Sequence, residues 1–245
     1  MKKIYKIFPI FFWLLIWWFV SIAINKEIYF PTPLTTFYSL KEIILKPKFI
    51  LIILNTLKRV FLGFFIANIF GIVLGFLCGF KQKITKLIHP FMTTVRSTPV
   101  MGIIILAIIW FKSGNVPVFI SFLMCFPIIW NNVYEGFKNL DKDLLEMAEI
   151  YKINFFKKIK NIYFPSIIPY YMAGFNLALG ISWKVTVAAE VLSNPKFAIG
   201  TKLNDARVYL DTPSLFAWLI IIILLSYFIE ILITNYLSQV LSKYY

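Results

Sequence analysis

The stretch EMAEIYKINFFKKIKNIYFP, residues 146–165, decides how this chain is folded. It holds two acids and four lysines, and Lys138, Asp141, Lys142 and Asp143 lie just upstream. Charge at that density cannot stay in hydrocarbon, yet long apolar runs flank it on both sides. A polar segment between two such runs lies at a membrane face. Its last residue, Pro165, is followed by Pro169. Proline suits the first turn of a helix, so the chain re-enters the bilayer here at a set angle.

Composition agrees. Of the 245 residues, 60% are hydrophobic and 19% aromatic, with a mean hydropathy of +0.80, well above the apolar share of globular domains. Apolar runs place helices at about 8–24, 57–80, 88–111, 116–136, 165–191 and 215–240, each able to span about 30 Å of hydrocarbon at about 1.5 Å per residue. The fold class expected is all-α: a polytopic membrane protein with six transmembrane helices. Met1-Lys2-Lys3 and the Trp-rich run after it lack a small-residue cleavage site, so they read as an uncleaved first span. No repeat or Gly/Ser linker divides the chain. Residues 1–50 are read as a first helix with an external segment, and 51–245 as a core of five helices with a hairpin at 141–164.

The net charge of +14, from 25 basic and 11 acidic residues, brings nucleic acid to mind. The basic residues, however, are scattered between apolar runs without a dense, aromatic-interleaved tract, which excludes that partner. They suit anionic lipid headgroups and orientation of the chain. An even number of spans leaves both ends on one side, and the modest excess of Lys and Arg there places the N- and C-termini in the cytoplasm. Cys78 and Cys125 lie in apolar runs without CxxC spacing, and His89 is the lone histidine. Neither a metal site nor a disulfide frame follows, and no cofactor is expected. A G-x-x-x-x-G-K-[ST] loop is absent, so the chain does not hydrolyse ATP.

Within the spans, Gly71, Gly75 and Gly79 recur every fourth residue and line one face for close helix packing. Pro31, Pro33 and Pro47 predict an extended external segment and a short interfacial helix, with a further helix running from Phe49 into the second span. Arg96, Lys184, Glu190 and Glu230 lie in or near apolar runs, where charge is costly and faces a cavity or a partner. Arg96, Lys184 and Glu190 are the candidate substrate pathway. For Lys184, pairing with Glu190 or snorkelling to the interface is an equal alternative. In the polar segment, Asp141 or Asp143 can cap a helix whose less polar side is Leu144, Leu145, Met147, Ala148 and Tyr151. Ile153-Asn154 allows a turn, and residues 155–163 make a second helix.

In residue order this segment resembles the cytoplasmic motif E-A-A-x3-G-x9-I-x-L-P of the transmembrane permease subunits of bacterial ATP-binding-cassette (ABC) importers. Glu146, Met147, Ala148, Lys152, Ile162, Phe164 and Pro165 stand at its positions. Met147, Lys152 and Phe164 replace Ala, Gly and Leu. Lysine enters the glycine's tight turn at greater cost, so the turn is expected to shift to Ile153-Asn154. Phe30-Pro31-Thr32-Pro33, residues 56–64, Arg96-Ser97-Thr98-Pro99-Val100 and residues 173–184 running into Ala188-Ala189-Glu190 are similar to the nitrate/sulfonate/taurine-type branch.

The resemblance implies a type I ABC importer permease (MetI-like) fold in a bacterial inner membrane. It implies a second permease copy as homodimer, two cytoplasmic ABC ATPase subunits, an external solute-binding protein and no covalent chemistry by this chain. Glu146, Met147, Ala148, Ile150, Lys152 and Pro165 would be the ATPase-coupling residues. The solute would be a sulfonate, taurine, nitrate or a pyrimidine or flavin precursor. Two rivals remain: an ion-gradient-driven secondary transporter, which calls for inverted repeats and broken helices at the midplane, and an intramembrane enzyme, which calls for a nucleophile–base pair or metal cluster.

Overall fold

A computed structural model describes residues 4–241, among which every regular element is helical. The first, α1 (Ile4–Ile24), ends at Asn25 in the left-handed region. The external segment then leads to α2 (Pro33–Leu45), started by Thr32, whose hydroxyl accepts from Thr35 N at 3.1 Å, and by Pro33 in its first turn. The turn Lys46-Pro47-Lys48 opens α3 (Phe49–Phe80), which at 32 residues extends about 48 Å, beyond the hydrocarbon thickness. After it come α4 (Gln82–Ser97), α5 (Val100–Trp110) and α6 (Val116–Lys138). Two short helices follow, α7 (Lys142–Ile150) and α8 (Phe155–Lys158), and a π-helical turn (Ile159–Tyr163) feeds α9 (Phe164–Ser193). Last are α10 (Ile199–Val208) and α11 (Thr212–Leu241).

The core is the trio α3, α6 and α9. Gly63, Gly71, Gly75 and Gly79 on α3 face Ser121, Ile129, Val133 and Phe137 on α6, always at the same sequence offset, so these two helices run in the same direction. A Cβ at Gly71 would sit 2.7 Å from Ile129, and one at Gly75 would sit 2.6 Å from Val133, so the backbones approach more closely than any side chain would allow. Helix α9 returns antiparallel: Gly136 packs on Ile167, Cys125 Sγ donates to Ala178 O at 3.2 Å, and Ser121 and Ser182 share a hydrogen bond of 2.8 Å. Both cysteines are buried and free. Around Trp130, whose Nε1 donates to Cys78 Sγ at 3.3 Å, the core includes Phe64, Met92, Ile129, Val133 and Leu179. A second cluster at the other end joins Ile43, Ile52, Ile199 and Trp218 from α2, α3, α10 and α11.

The expected third span at 88–111 is not one straight helix. Helices α4 and α5 meet at 102°. Pro99 has no N–H to continue the ladder and forces Thr98 into extended backbone, with φ −78° and ψ 132°. Thr98 N and Oγ1 both donate to Thr94 O, at 3.0 and 2.7 Å, so the last turn of α4 closes on that carbonyl before the chain turns. Among the described residues four helices are long and apolar enough to cross: α3, α6, the continuous 155–193 helix and α11 over Thr212–Thr234. The bent α4–α5 pair makes a fifth if taken as one span, and the 21-residue α1 contributes the apolar stretch Phe11–Ile24. Helix α3 begins at Phe49, as the proline pattern predicts, and α10 forms where only a loop was expected.

Candidate functional site

Residues 142–163 form a helical hairpin projecting from one end of the core. Asp141 caps α7, its carboxylate accepting from Asp143 N at 2.9 Å. Ala148 is fully buried, whereas Leu144, Met147, Ile150 and Tyr151 are exposed, and so are Glu146 and Glu149. Ala148 thus anchors α7 on the core, while Leu144, Met147, Ile150 and Tyr151 present apolar surface outward beside the exposed acids. The turn sits on Lys152 itself, at φ 49°, and has not moved to Ile153-Asn154. Ile153 N donates to Ala148 O at 2.9 Å and Lys152 N to Glu149 O at 3.0 Å, the paired bonds of a Schellman motif. These two bonds hold a lysine in the place a glycine would fill without strain. Asn154 then caps α8 through Phe156 N at 3.3 Å.

Phe155 and Tyr163 bolt the hairpin to the spans. The Phe80 ring lies 5.8 Å from Phe155 and 5.2 Å from Tyr163, and Phe137 lies 4.9 Å from Phe80 and 5.4 Å from Tyr163. Gly79 leaves room for the Phe137 ring, so the glycine row of α3 and the hairpin share one aromatic joint. Ahead of Pro165 the backbone widens: Phe164 N donates to Ile159 O, five residues back. Proline at 165 would clash with the carbonyl four residues earlier, and the π-turn relieves that clash while the helix continues into α9.

The intramembrane charges separate. Glu190 does not stand with Arg96 and Lys184. It is fully buried, where Thr56 Oγ1 donates to both carboxylate oxygens at 3.0 Å, Arg59 Nη1 at 2.9 Å and Gly200 N at 3.1 Å. Ile199 N donates to Thr56 Oγ1 at 3.0 Å, and Arg59 Nη2 to Lys196 O at 3.2 Å. The carboxylate thus ties α3, α9 and the start of α10 together, with Gly200 packed directly on its Cβ. Arg59, read from the sequence only as a flanking charge, is its counter-ion; an unmatched carboxylate on another span was the available signal. Lys184 is exposed on α9, along the stripe of Ala173 and Leu177, and a Cβ at Gly180 on that stripe would meet nothing within 4 Å. Arg96 is exposed in the last turn of α4, where a cation suits the helix C-terminus. Among the described residues neither has a carboxylate in ion-pair range, and no group of three metal-ligating side chains occurs.

Residues 71–243 match the family described as binding-protein-dependent transport system inner membrane component. A Bacillus subtilis protein carrying the name of an aliphatic sulfonates transport permease, SsuC, is 28% identical over 192 residues, 78% of this chain and 69% of its own length. The bicarbonate transport system permease protein CmpB of Synechococcus elongatus is 27% identical over 152 residues, 62% of this chain and 55% of its own. The nitrate import permease protein NrtB of the same species is 31% identical over 142 residues, 57% and 50% of the two lengths. With its all-helical core, its projecting hairpin and a family match over well more than half its length, the chain belongs to the inner-membrane permeases of binding-protein-dependent ABC transport systems.

Proposed function

We propose that this chain is the pathway-forming subunit of an ATP-driven importer for a small anionic solute, and that it works as a homodimer. Residues 142–163 dock into a cytoplasmic ABC ATPase, and an external solute-binding protein delivers cargo to the opposite face. The carrying observation is the hairpin's exposed apolar surface. A connection that was only solvated would turn its apolar side inward, but Met147, Ile150, Tyr151 and Phe156 are exposed, as a partner's groove requires. Glu146 and Glu149 supply a charged rim, and the joint of Phe80, Phe137, Phe155 and Tyr163 lets the hairpin push on α3, α6 and α9 as one body. On this reading both termini are cytoplasmic.

For the solute, the relatives named for sulfonates, bicarbonate and nitrate share a single negative charge. Lys184, with open space at Gly180 beside it, and Arg96 at the α4–α5 break are the cations available to attract one. Glu190 keeps the wall in place. The test is co-purification followed by transport. The chain expressed with its neighbouring ATPase should hold that ATPase in detergent, and proteoliposomes should take up anion only with ATP. Glu146→Lys should retain assembly of the membrane subunit while uncoupling hydrolysis from uptake. Uptake driven by an ion gradient without an ATPase would make the secondary-transporter reading the right one.

A further inference from the structure

At the end of the core opposite the hairpin, the α2–α3 turn and α10 enclose a cavity of roughly 670 Å³, within the size range of small-molecule sites. Its floor is apolar: Ile52 and Trp218 are buried, and the Phe49 and Trp218 rings lie 6.1 Å apart. Its rim is basic. Lys46, Lys48, Lys196 and Lys202 line it, with Asp205 and Asp211. Asp205 is paired with Lys202 Nζ at 2.7 Å, and Asp211, its charge kept, accepts from Ser214 N at 3.1 Å at the start of α11. Among the described residues, Lys46, Lys48 and Lys196 have no carboxylate within ion-pair range. With Lys202 paired to Asp205, three lysines face the single charge of Asp211, so the concave rim is net positive and attracts an anion.

The backbone adds an independent sign. Phe197, between Lys196 and the start of α10, is held at φ 52°, a left-handed conformation that is unfavourable for a bulky residue. Thr201 Oγ1 donates to Pro195 O at 2.7 Å, and Arg59 Nη2 to Lys196 O, so the surroundings impose the strain. The strained turn places the Phe197 ring under Lys48, whose Nζ is 5.6 Å from the ring centroid. Such strain collects at ligand clamps.

We propose that this cavity binds a ligand with a singly charged anionic head on a short apolar body, the head between Lys46, Lys48 and Lys196 and the body on Phe49 and Trp218. Lys184 does not line the cavity, so the site is separate from the pathway and stands whatever solute crosses. Because Arg59 holds Lys196 O with one nitrogen and Glu190 with the other, a ligand here is wired to the clamp between α3 and α9. Two sources supply this chemistry: a water-borne alkanesulfonate or similar solute, and the headgroup of an anionic phospholipid.

The test uses the full chain in phosphatidylcholine nanodiscs, with hexane-1-sulfonate titrated by calorimetry against empty discs. Saturable binding is expected, with no matching signal for hexyltrimethylammonium, which keeps the body and reverses the head. Lys48→Gln/Lys196→Gln should weaken binding at least about tenfold, the loss of charge-assisted contacts, while Lys83→Gln, at the hairpin end, should leave it unchanged. All three lysines are exposed, so the variants do not threaten folding, and an unchanged unfolding midpoint checks this. Equal binding of the cationic analogue, or undiminished affinity in the double variant, overturns the site. Discs containing phosphatidylglycerol identify the source: competition with the sulfonate assigns the cavity to a lipid headgroup, and undisturbed binding assigns it to a water-borne solute.

Discussion

Lys152 at φ 49° and Glu190 at full burial are the two residues where chemistry and position disagree most. A non-glycine residue in the left-handed region costs about 1–2 kcal/mol, so Lys152→Gly is expected to tighten the α7–α8 turn by about 1 kcal/mol. Hydrogen exchange at Ile153 N, which is bonded to Ala148 O, should slow accordingly; unchanged exchange would mean that the lysine bears no strain. Glu190 behaves oppositely. Removing one member of a buried pair leaves the other uncompensated, so Glu190→Ala or Arg59→Ala should cost about 3–5 kcal/mol, lowering the unfolding midpoint by about 10 °C. Glu190→Gln should cost less, because the amide oxygen can still accept from Thr56 and Gly200. Cys78 and Cys125, 1% and 0% exposed, are built-in reporters for a thiol-reactive dye in that experiment. The hairpin residues were legible because Glu146 and Pro165 carry a motif spacing. The Glu190 clamp was not, because Thr56, Arg59 and Gly200 meet it only after three helices have packed, and nothing local in the sequence pairs them.

At the scale of elements, the glycine row on α3 was readable as a four-residue period, since period alone fixes which residues share a helix face. Its partner was not readable, because the facing row on α6 consists of ordinary core residues, Ile129, Val133 and Phe137. Gly75→Leu should drive its side chain into Val133 and separate α3 from α6, an overpacking cost of about 1–3 kcal/mol or more. Gly102→Ala on α5, where a Cβ would meet nothing within 4 Å, should leave the unfolding midpoint of the detergent-solubilised chain unchanged or slightly raised. If both substitutions shift it equally, close approach is not what the row provides. The same contrast explains the third span. Apolar content predicted one helix across 88–111, but Pro99 acts on a single peptide, and its effect on Thr98 outweighs the hydropathy of the run. Pro165 sits at a similar junction without breaking the helix, because the π-turn ahead of it absorbs the clash and the residues beyond continue helical.

For the molecule as a whole, the direction of the helices decides the course of the chain. Helices α3 and α6 are parallel, so if α3 ends at the hairpin end, α6 must begin at the opposite end. The chain between them has to travel back, and α4 and α5 are what carries it. Their contacts follow that route: Thr85 Oγ1 on α4 donates to Cys78 O near the end of α3 at 2.9 Å, whereas Ile103, Ile104 and Ala107 on α5 pack with Val116 and Ile120 at the start of α6 and with Ala189 near the end of α9. The bent pair is thus one return crossing, not a loop that dips in and comes back on the same side. Single cysteines at exposed positions test this with a membrane-impermeant maleimide, since Cys78 and Cys125 are buried. Lys112→Cys, between α5 and α6, and Arg207→Cys, on α10, should label in intact cells. Lys83→Cys, at the start of α4, and Glu149→Cys, on the hairpin, should label only after permeabilisation. The informative position is 112. If it labels together with 83 and 149, the α4–α5 pair is re-entrant, and α3 and α6 cannot both cross in the direction their shared glycine contacts require.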